Sequence, residues 1–172
     1  MIITNRISLK KFQKDDLDLL FQLEGDPDVM KYITLGIPRT RKEIIEKSMP
    51  RILNSYQSLL EFGIFAAYLN NSNKYIGWFQ FERDKEINDA IEIGWRLKKQ
   101  FWGNGYATEV AIALSDKGIA LGKVIVARAM IDNKASIRVM EKAGLLFEKE
   151  FWGDYRPHSG KPDVLYKRQL NF

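Results

Sequence analysis

The segment Gln100-Phe101-Trp102-Gly103-Asn104-Gly105-Tyr106-Ala107 carries the clearest chemical signature in the chain. Two glycines around one residue let backbone N–H groups converge and let a phosphate approach without meeting a Cβ. A helical pattern opens behind them and adds unpaired amides and the positive end of a helix dipole. Two nucleotide motifs are excluded by spacing: the third glycine of the dinucleotide fingerprint is missing, and no Gly-Lys-Ser/Thr makes a P-loop. Taken alone, the segment reads equally as a glycine turn that starts a helix. Asp132-Asn133-Lys134-Ala135-Ser136 forms a second junction, with Asp132 or Asn133 as N-cap, Ile137 and Met140 turned inward, and Gly144 at the helix end. The third candidate is Glu92, within Ala90-Ile91-Glu92-Ile93-Gly94-Trp95. Ile91 and Ile93 take the opposite face of such a strand, so Glu92 faces water or a cleft. The plainer alternative is a cross-strand pair with Arg83 or Arg96.

Composition narrows the chemistry. The chain has 172 residues, no cysteine and one histidine, His158. Disulfides, a cysteine zinc site, a cysteine nucleophile and a histidine-built metal cluster are therefore ruled out. No apolar run is long enough for a membrane span. MIITNRISLKKF has no apolar leader core ahead of its first charges, which points to a cytoplasmic protein. A formal charge of +5 is spread over short pairs such as Lys10-Lys11 and Lys98-Lys99. Such pairs are the ordinary make-up of a solvated face, and no nucleic-acid-binding motif accompanies them.

The elements that must position these residues follow from periodicity. Alternation predicts a strand over 6–12, and a helix follows Asp15 or Asp16 and ends near Gly25-Asp26-Pro27. A short apolar piece spans 29–33, and a second helix lies within 41–61, kinked or restarted at Pro50. From Gly63 the period shortens: strands are predicted at 63–69, 75–83 and 90–97, the first two joined by an Asn-rich turn. A helix at 106–121 buries Ala107, Val110, Ala111, Leu114 and Gly118 and leaves Glu109 on the wet side. Strands at 123–131, 146–152 and 164–169 and a helix at 134–143 complete one mixed α/β domain over residues 1–172.

The series Glu92-Ile93-Gly94-Trp95, Gln100-x-x-Gly103-x-Gly105-Tyr106-Ala107-Thr108-Glu109 and Asn133-x-x-Ser136-x-x-Val139-x-Glu141-Lys142-x-Gly144 resembles the GCN5-related N-acetyltransferase (GNAT) superfamily. Within it, the ribosomal-protein N-terminal (RimJ/RimL-type) branch is the more similar. The motif-bearing half is specific, whereas residues 1–60 match in outline. The resemblance implies an α/β (α+β mixed) fold, a twisted mixed central sheet with helices on both faces. It implies acetyl-CoA as cosubstrate and direct transfer to an amine, without a metal.

The resemblance also implies roles. Backbone amides of Trp102, Gly103, Asn104, Gly105, Tyr106 and Ala107 hold the pyrophosphate in a loop shaped with Gln100. The strand bearing Ile93 and Trp95 splays from 123–131, and pantetheine completes the sheet edge there. Asn133 meets the pantetheine arm or its neighbouring backbone; Lys98, Lys99, Lys134 and Arg138 are candidates for the phosphates. Glu92 accepts the amine proton, and backbone N–H groups stabilise the developing oxyanion. Many members carry a tyrosine seven residues after the asparagine, as donor to the thiolate. This chain has Met140 there, which cannot donate, so Ser136 is the alternative. Hydroxyls are equally at home in a first helical turn without any cofactor. The acceptor site is expected near Thr34–Arg39 and 151–162, where Trp152, Tyr155, Arg156 and His158 stand. The acceptor is a protein N-terminus or a small amine such as a polyamine or aminoglycoside. Neither nucleic acid nor membrane is an expected partner, a homodimer is compatible with the sequence, and a non-catalytic acyl-CoA-binding module is the rival from another class.

Overall fold

Branched and aromatic residues dominate the runs after Gly63, and they form the middle of one eight-stranded sheet. A computed structural model describes residues 2–56, 62–153 and 160–170. The strands are β1 (Ile2–Ile3), β2 (Ile7–Lys11), β3 (Gly63–Leu69), β4 (Tyr75–Arg83), β5 (Ala90–Leu97), β6 (Val124–Met130), β7 (Leu146–Phe151) and β8 (Asp163–Arg168). Their spatial order is β1-β2-β3-β4-β5-β6-β8-β7, and every neighbouring pair is antiparallel except β5 with β6. The first seven residues of β4 are buried, because that strand is covered on both faces. Continuous apolar character, rather than alternation, is what double coverage requires.

Helices cover the two faces separately. On one face α5 (Tyr106–Ala120) and α6 (Lys134–Lys142) bury Val110, Ala111, Leu114, Ile137 and Met140 against Phe79, Phe81, Ile91 and Ile93. On the other, α1 (Leu17–Glu24), α2 (Pro27–Met30) and α4 (Met49–Ser55) contribute Leu20, Leu23, Val29, Met49 and Ile52 against Ile64, Ala66 and Trp78, while the short α3 (Arg41–Glu43) buries none of its side chains. Each of the larger of these side chains, valine upward, stabilises the fold by about 1.5–3 kcal/mol on burial. Helix α5 lies so close to β6 that a Cβ on Gly118 would fall 2.1 Å from Ile125 Cδ1.

Several details differ from the sequence reading. The apolar piece expected over 29–33 is the short helix α2, started by the Asp26 side chain and Pro27. The helix expected within 41–61 runs over 41–55, with a π-turn at Ile44–Ser48 between α3 and α4, and residues 57–61 lie outside the described residues. Pro50 has no N–H for the carbonyl of Glu46, and the wider turn just before it absorbs the break. Glu109 is not on the wet side: its side chain is only 18% exposed and pairs with Arg6. Tyr155, Arg156 and His158 lie outside the described residues.

Candidate active site

Strands β5 and β6 pair over three positions only, Ala90–Val124, Ile91–Ile125 and Glu92–Val126. Beyond them β6 continues along β8 to Met130 while β5 continues along β4 to Leu97. The inner edges therefore part from Ile93 onward. The side chain of Ile93 is buried and that of Trp95 partly buried, so what these residues offer the gap is backbone.

The glycine loop stands at the open end of this gap. Gly103 and Gly105 have φ of +78° and +77°, and a Cβ on Gly103 would meet nothing within 4 Å. The conformation needs glycine and leaves a vacant cradle. Gly105 is the N-cap of α5, and no side chain caps that helix. Its first amides are thus available to an anion, as a pyrophosphate requires. Gln100 lies in a 3₁₀ turn, Lys99–Phe101, that leads into the loop. Trp102 Nε1 donates to the Leu97 carbonyl at 2.7 Å, and Asn104 Nδ2 donates to the carbonyls of Phe101 and Trp102.

The loop is also tied from outside. Arg6 Nη1 donates to the Asn104 carbonyl at 3.0 Å, and its guanidinium stacks over the Tyr106 ring at 4.7 Å. Arg6 Nε and backbone N–H donate to the two oxygens of Glu109, and Thr4 Oγ1 adds a bond of 2.6 Å. Burial works to raise the Glu109 pKa, but the bonds from Thr4 and Arg6 outweigh it and hold the carboxyl below its ordinary value.

A cleft of about 780 Å³ opens on the other face of β4 and β5. It brings together Glu92, Asn133, Ser136 and Met140 with the segment Tyr32–Arg39 and the helices after it. Glu92 Oε2 accepts from Gln80 Nε2 at 2.9 Å, and Oε1 accepts from Arg128 Nη1 at 3.2 Å. Its ionic partner is thus Arg128 of β6, not Arg83 or Arg96. Arg128 also binds Asp84, whose side chain is 1% exposed. Burial disfavours the Arg128 cation, but the bonds and charges of Asp84 and Glu92 raise its pKa above the ordinary value. Glu82 stands directly opposite Glu92. Burial raises the Glu82 pKa; Arg51 opposes the shift and Glu92 adds to it.

Asn133 is the N-cap of α6: its Oδ1 accepts from Ser136 N at 3.2 Å, so its nitrogen end is what remains for another group. The four basic candidates for phosphate divide. Lys98 donates to Gln22 and Lys99 pairs with Asp28, both across to the N-terminal helices. Lys134 and Arg138 line a separate cavity between α6 and the β7–β8 pair, away from Ser136. Glu82, Gln80, Arg51 and Arg128 were not singled out from the sequence. Only the strand register places them beside Glu92.

Residues 6–146 match the acetyltransferase (GNAT) domain family. The uncharacterized protein YkkB of Bacillus subtilis (strain 168) is 32% identical over 178 residues, covering 98% of this chain and 95% of that protein. A GNAT-family acetyltransferase of Bacillus anthracis superposes with a TM-score of 0.79 at 26% identity, over 98% of this chain and 97% of its own. RimL, a ribosomal L7/L12 α-N-protein acetyltransferase solved in complex with coenzyme A, superposes with a TM-score of 0.79 at 18% identity, over 98% and 97%.

Proposed function

The chain belongs to the GNAT acetyltransferase family, and on that premise we propose that it transfers the acetyl group of acetyl-CoA to a primary amine bound over β4 and β5. The observation that carries this reading is the parting of β5 from β6 after Glu92, with an uncapped helix start at one end and carboxylates on the cleft floor. The residues present fit the cosubstrate: the cradle at Gly103 and Gly105 accepts a diphosphate, and the free edge of β5 accepts the amides of a pantetheine arm. Trp102 to Ala107 would hold the diphosphate, Ile93 and Trp95 the pantetheine, and Asn133 its neighbourhood; Arg138 stands too far toward β7 to be assigned a part.

Acetyl-CoA supplies an activated thioester. The chain's residues do the rest. The Glu82–Glu92 pair attracts the amine as ammonium, and Glu92 takes its proton, directly or through water. The nitrogen can then bond to the carbonyl carbon while the carbon–sulfur bond breaks, and the second proton it sheds goes to the departing thiolate through Ser136 or water, leaving an amide and a thiol. Backbone N–H groups along the free edge of β5 stabilise charge on the carbonyl oxygen. Ser136, in the first turn of α6, donates a hydrogen bond to the departing thiolate, a role Met140 cannot fill. The acceptor is a small amine or a protein N-terminus. The lining mixes carboxylates with arginines, unlike the acidic, enclosed pocket that would suit a polyamine.

An acceptor screen tests the reading: acetyl-CoA with N-terminal peptides and small amines, following free thiol. Acceptor-dependent thiol release is expected. Tight acetyl-CoA binding without release to any amine would leave an acyl-CoA-binding module instead.

A further inference from the structure

The cleft is electrically divided along β5. At the β6 end, Glu82, Asp84, Glu86 and Glu92 gather about Arg128. At the other end, Arg39, Arg51 and Arg96 gather about Glu24, which is 3% exposed. Glu24 is fully engaged: Oε1 accepts from Arg96 Nη1 at 2.7 Å, and Oε2 accepts from Arg39 Nη1 at 3.3 Å and Ser48 Oγ at 2.6 Å. One carboxylate thus serves two guanidinia. Arg51, 53% exposed, donates to Gln80 Oε1 at 3.2 Å and reaches Glu82 only at 3.4 Å. Glu43, also on the wall, is turned to its own helix start, where it caps Thr40 and pairs with Lys47.

Positive charge at this end is incompletely neutralised. The Nε of Arg96 is buried with no hydrogen-bond partner among the described residues. Burial, with Arg39 and Arg51 nearby and Glu24 opposing them, brings the Arg96 pKa down to about 10. A guanidinium in such company favours a further anion, and planar carboxylates match its paired donors.

The spacing selects the anion's carrier. Glu92 and Arg96 lie four residues apart on one face of β5, about 13 Å by strand rise. Arg51 reaches Gln80, which sits opposite Gly94, halfway along. We propose, resting on the acetyltransferase reading, that the acceptor is amphoteric: its amine lies at Glu82 and Glu92, and its carboxylate, about 7–13 Å away, is held by Arg51 and Arg39. An α-amino acid is too short to bridge the two ends. An ω-amino acid and a peptide with an acidic residue beside its free N-terminus both reach.

Calorimetry on the full chain saturated with CoA, where no turnover occurs, tests this with 6-aminohexanoate against 6-aminohexanamide. A second arm uses the peptide amides Ser-Glu-Ala and Ser-Gln-Ala, and the arm that shows the preference identifies the source of the carboxylate. In at least one arm the acid is expected to bind about tenfold tighter, equivalent to about 1.4 kcal/mol. Arg51→Gln should abolish that preference while acetyl-CoA affinity stays unchanged; Arg51 is the exposed guanidinium, so the variant keeps its fold. Equal affinity for acid and amide in both arms, no binding in either, or a preference unchanged in Arg51→Gln overturns the proposal. Failure of acetyl-CoA itself to bind would instead overturn the acetyltransferase reading.

Discussion

Glu82 and Glu92 face each other across β4 and β5 on the cleft floor, and they are unequally held. Glu92 has a donor on each oxygen, from Gln80 and Arg128, whereas Glu82 has Arg51 at 3.4 Å. Two carboxylates in register disfavour their joint ionisation. Glu92→Gln is expected to lower kcat by about 10²–10⁴-fold at neutral pH, with acetyl-CoA affinity unchanged. Glu82→Gln leaves that base in place and should lower kcat far less. Steady-state rates at neutral pH check both, and near-normal turnover of Glu92→Gln would place the base elsewhere.

Ser136→Ala should reduce turnover more than it reduces acetyl-CoA binding. The cap of α6 rests on the Asn133 side chain and the Ser136 backbone, not on the hydroxyl, so the helix should survive. Kinetics beside calorimetry separate the two effects; an equal loss in both would assign the hydroxyl to cofactor binding.

Val at Gly103 or Gly105 would be forced to positive φ, costing of order 1–3 kcal/mol. Gly103 faces open space, so the folded chain meets no clash there, but the cradle for the diphosphate is filled. Acetyl-CoA affinity should fall at least tenfold from a micromolar value, roughly −8 kcal/mol, while circular dichroism stays native.

Glu109 has a lowered pKa in the folded chain, so its contribution has a defined sign. A carboxyl of this kind stabilises above its unfolded value, and the stabilisation is lost as pH falls through the folded value. The Tm gap between the native chain and Glu109→Gln should be largest near neutrality and should shrink as pH falls below the ordinary glutamate value of about 4.3. Arg6→Ala should weaken acetyl-CoA roughly fivefold, the worth of about one hydrogen bond, because the Asn104 carbonyl loses its tether.

Arg128→Ala would strand Asp84 and Glu92. Both guanidinium and Asp84 carboxylate are nearly buried, at 9% and 1% exposed. Removing one member of such a pair costs about 3–5 kcal/mol, and urea denaturation should show it. Arg51→Ala, at a 53% exposed side chain, should cost far less.

What the sequence disclosed was local. The run from Ala90 to Gly144 could be read because a strand, a glycine loop and a capped helix each announce themselves within about ten residues. Glu92 could be seen to leave the apolar face of β5 for the same reason. Its partner could not, since Arg128 becomes a neighbour only through the β5–β6 register; Arg83 lies on the other face, and Arg96 is taken by Glu24. The π-turn before Pro50 was half legible, the proline announcing a break without saying how it is absorbed. Glu109 was misplaced because a helical wheel treats the outer face as water, whereas the bend before β2 lies beside it with Arg6.

That last contact joins residues 103 positions apart. Closing so long a loop is slow relative to forming α5 or the β3–β4 hairpin. The loop proposed to hold the diphosphate thus gains its Arg6 tether only once the residues before β2 have docked. A ligand that binds only the docked form adds to the stability of the whole chain, by an amount that grows with the logarithm of its free concentration once that exceeds Kd. Acetyl-CoA held by that loop would then fasten the residues before β2 to α5, so that the two ends of the contact open together or not at all.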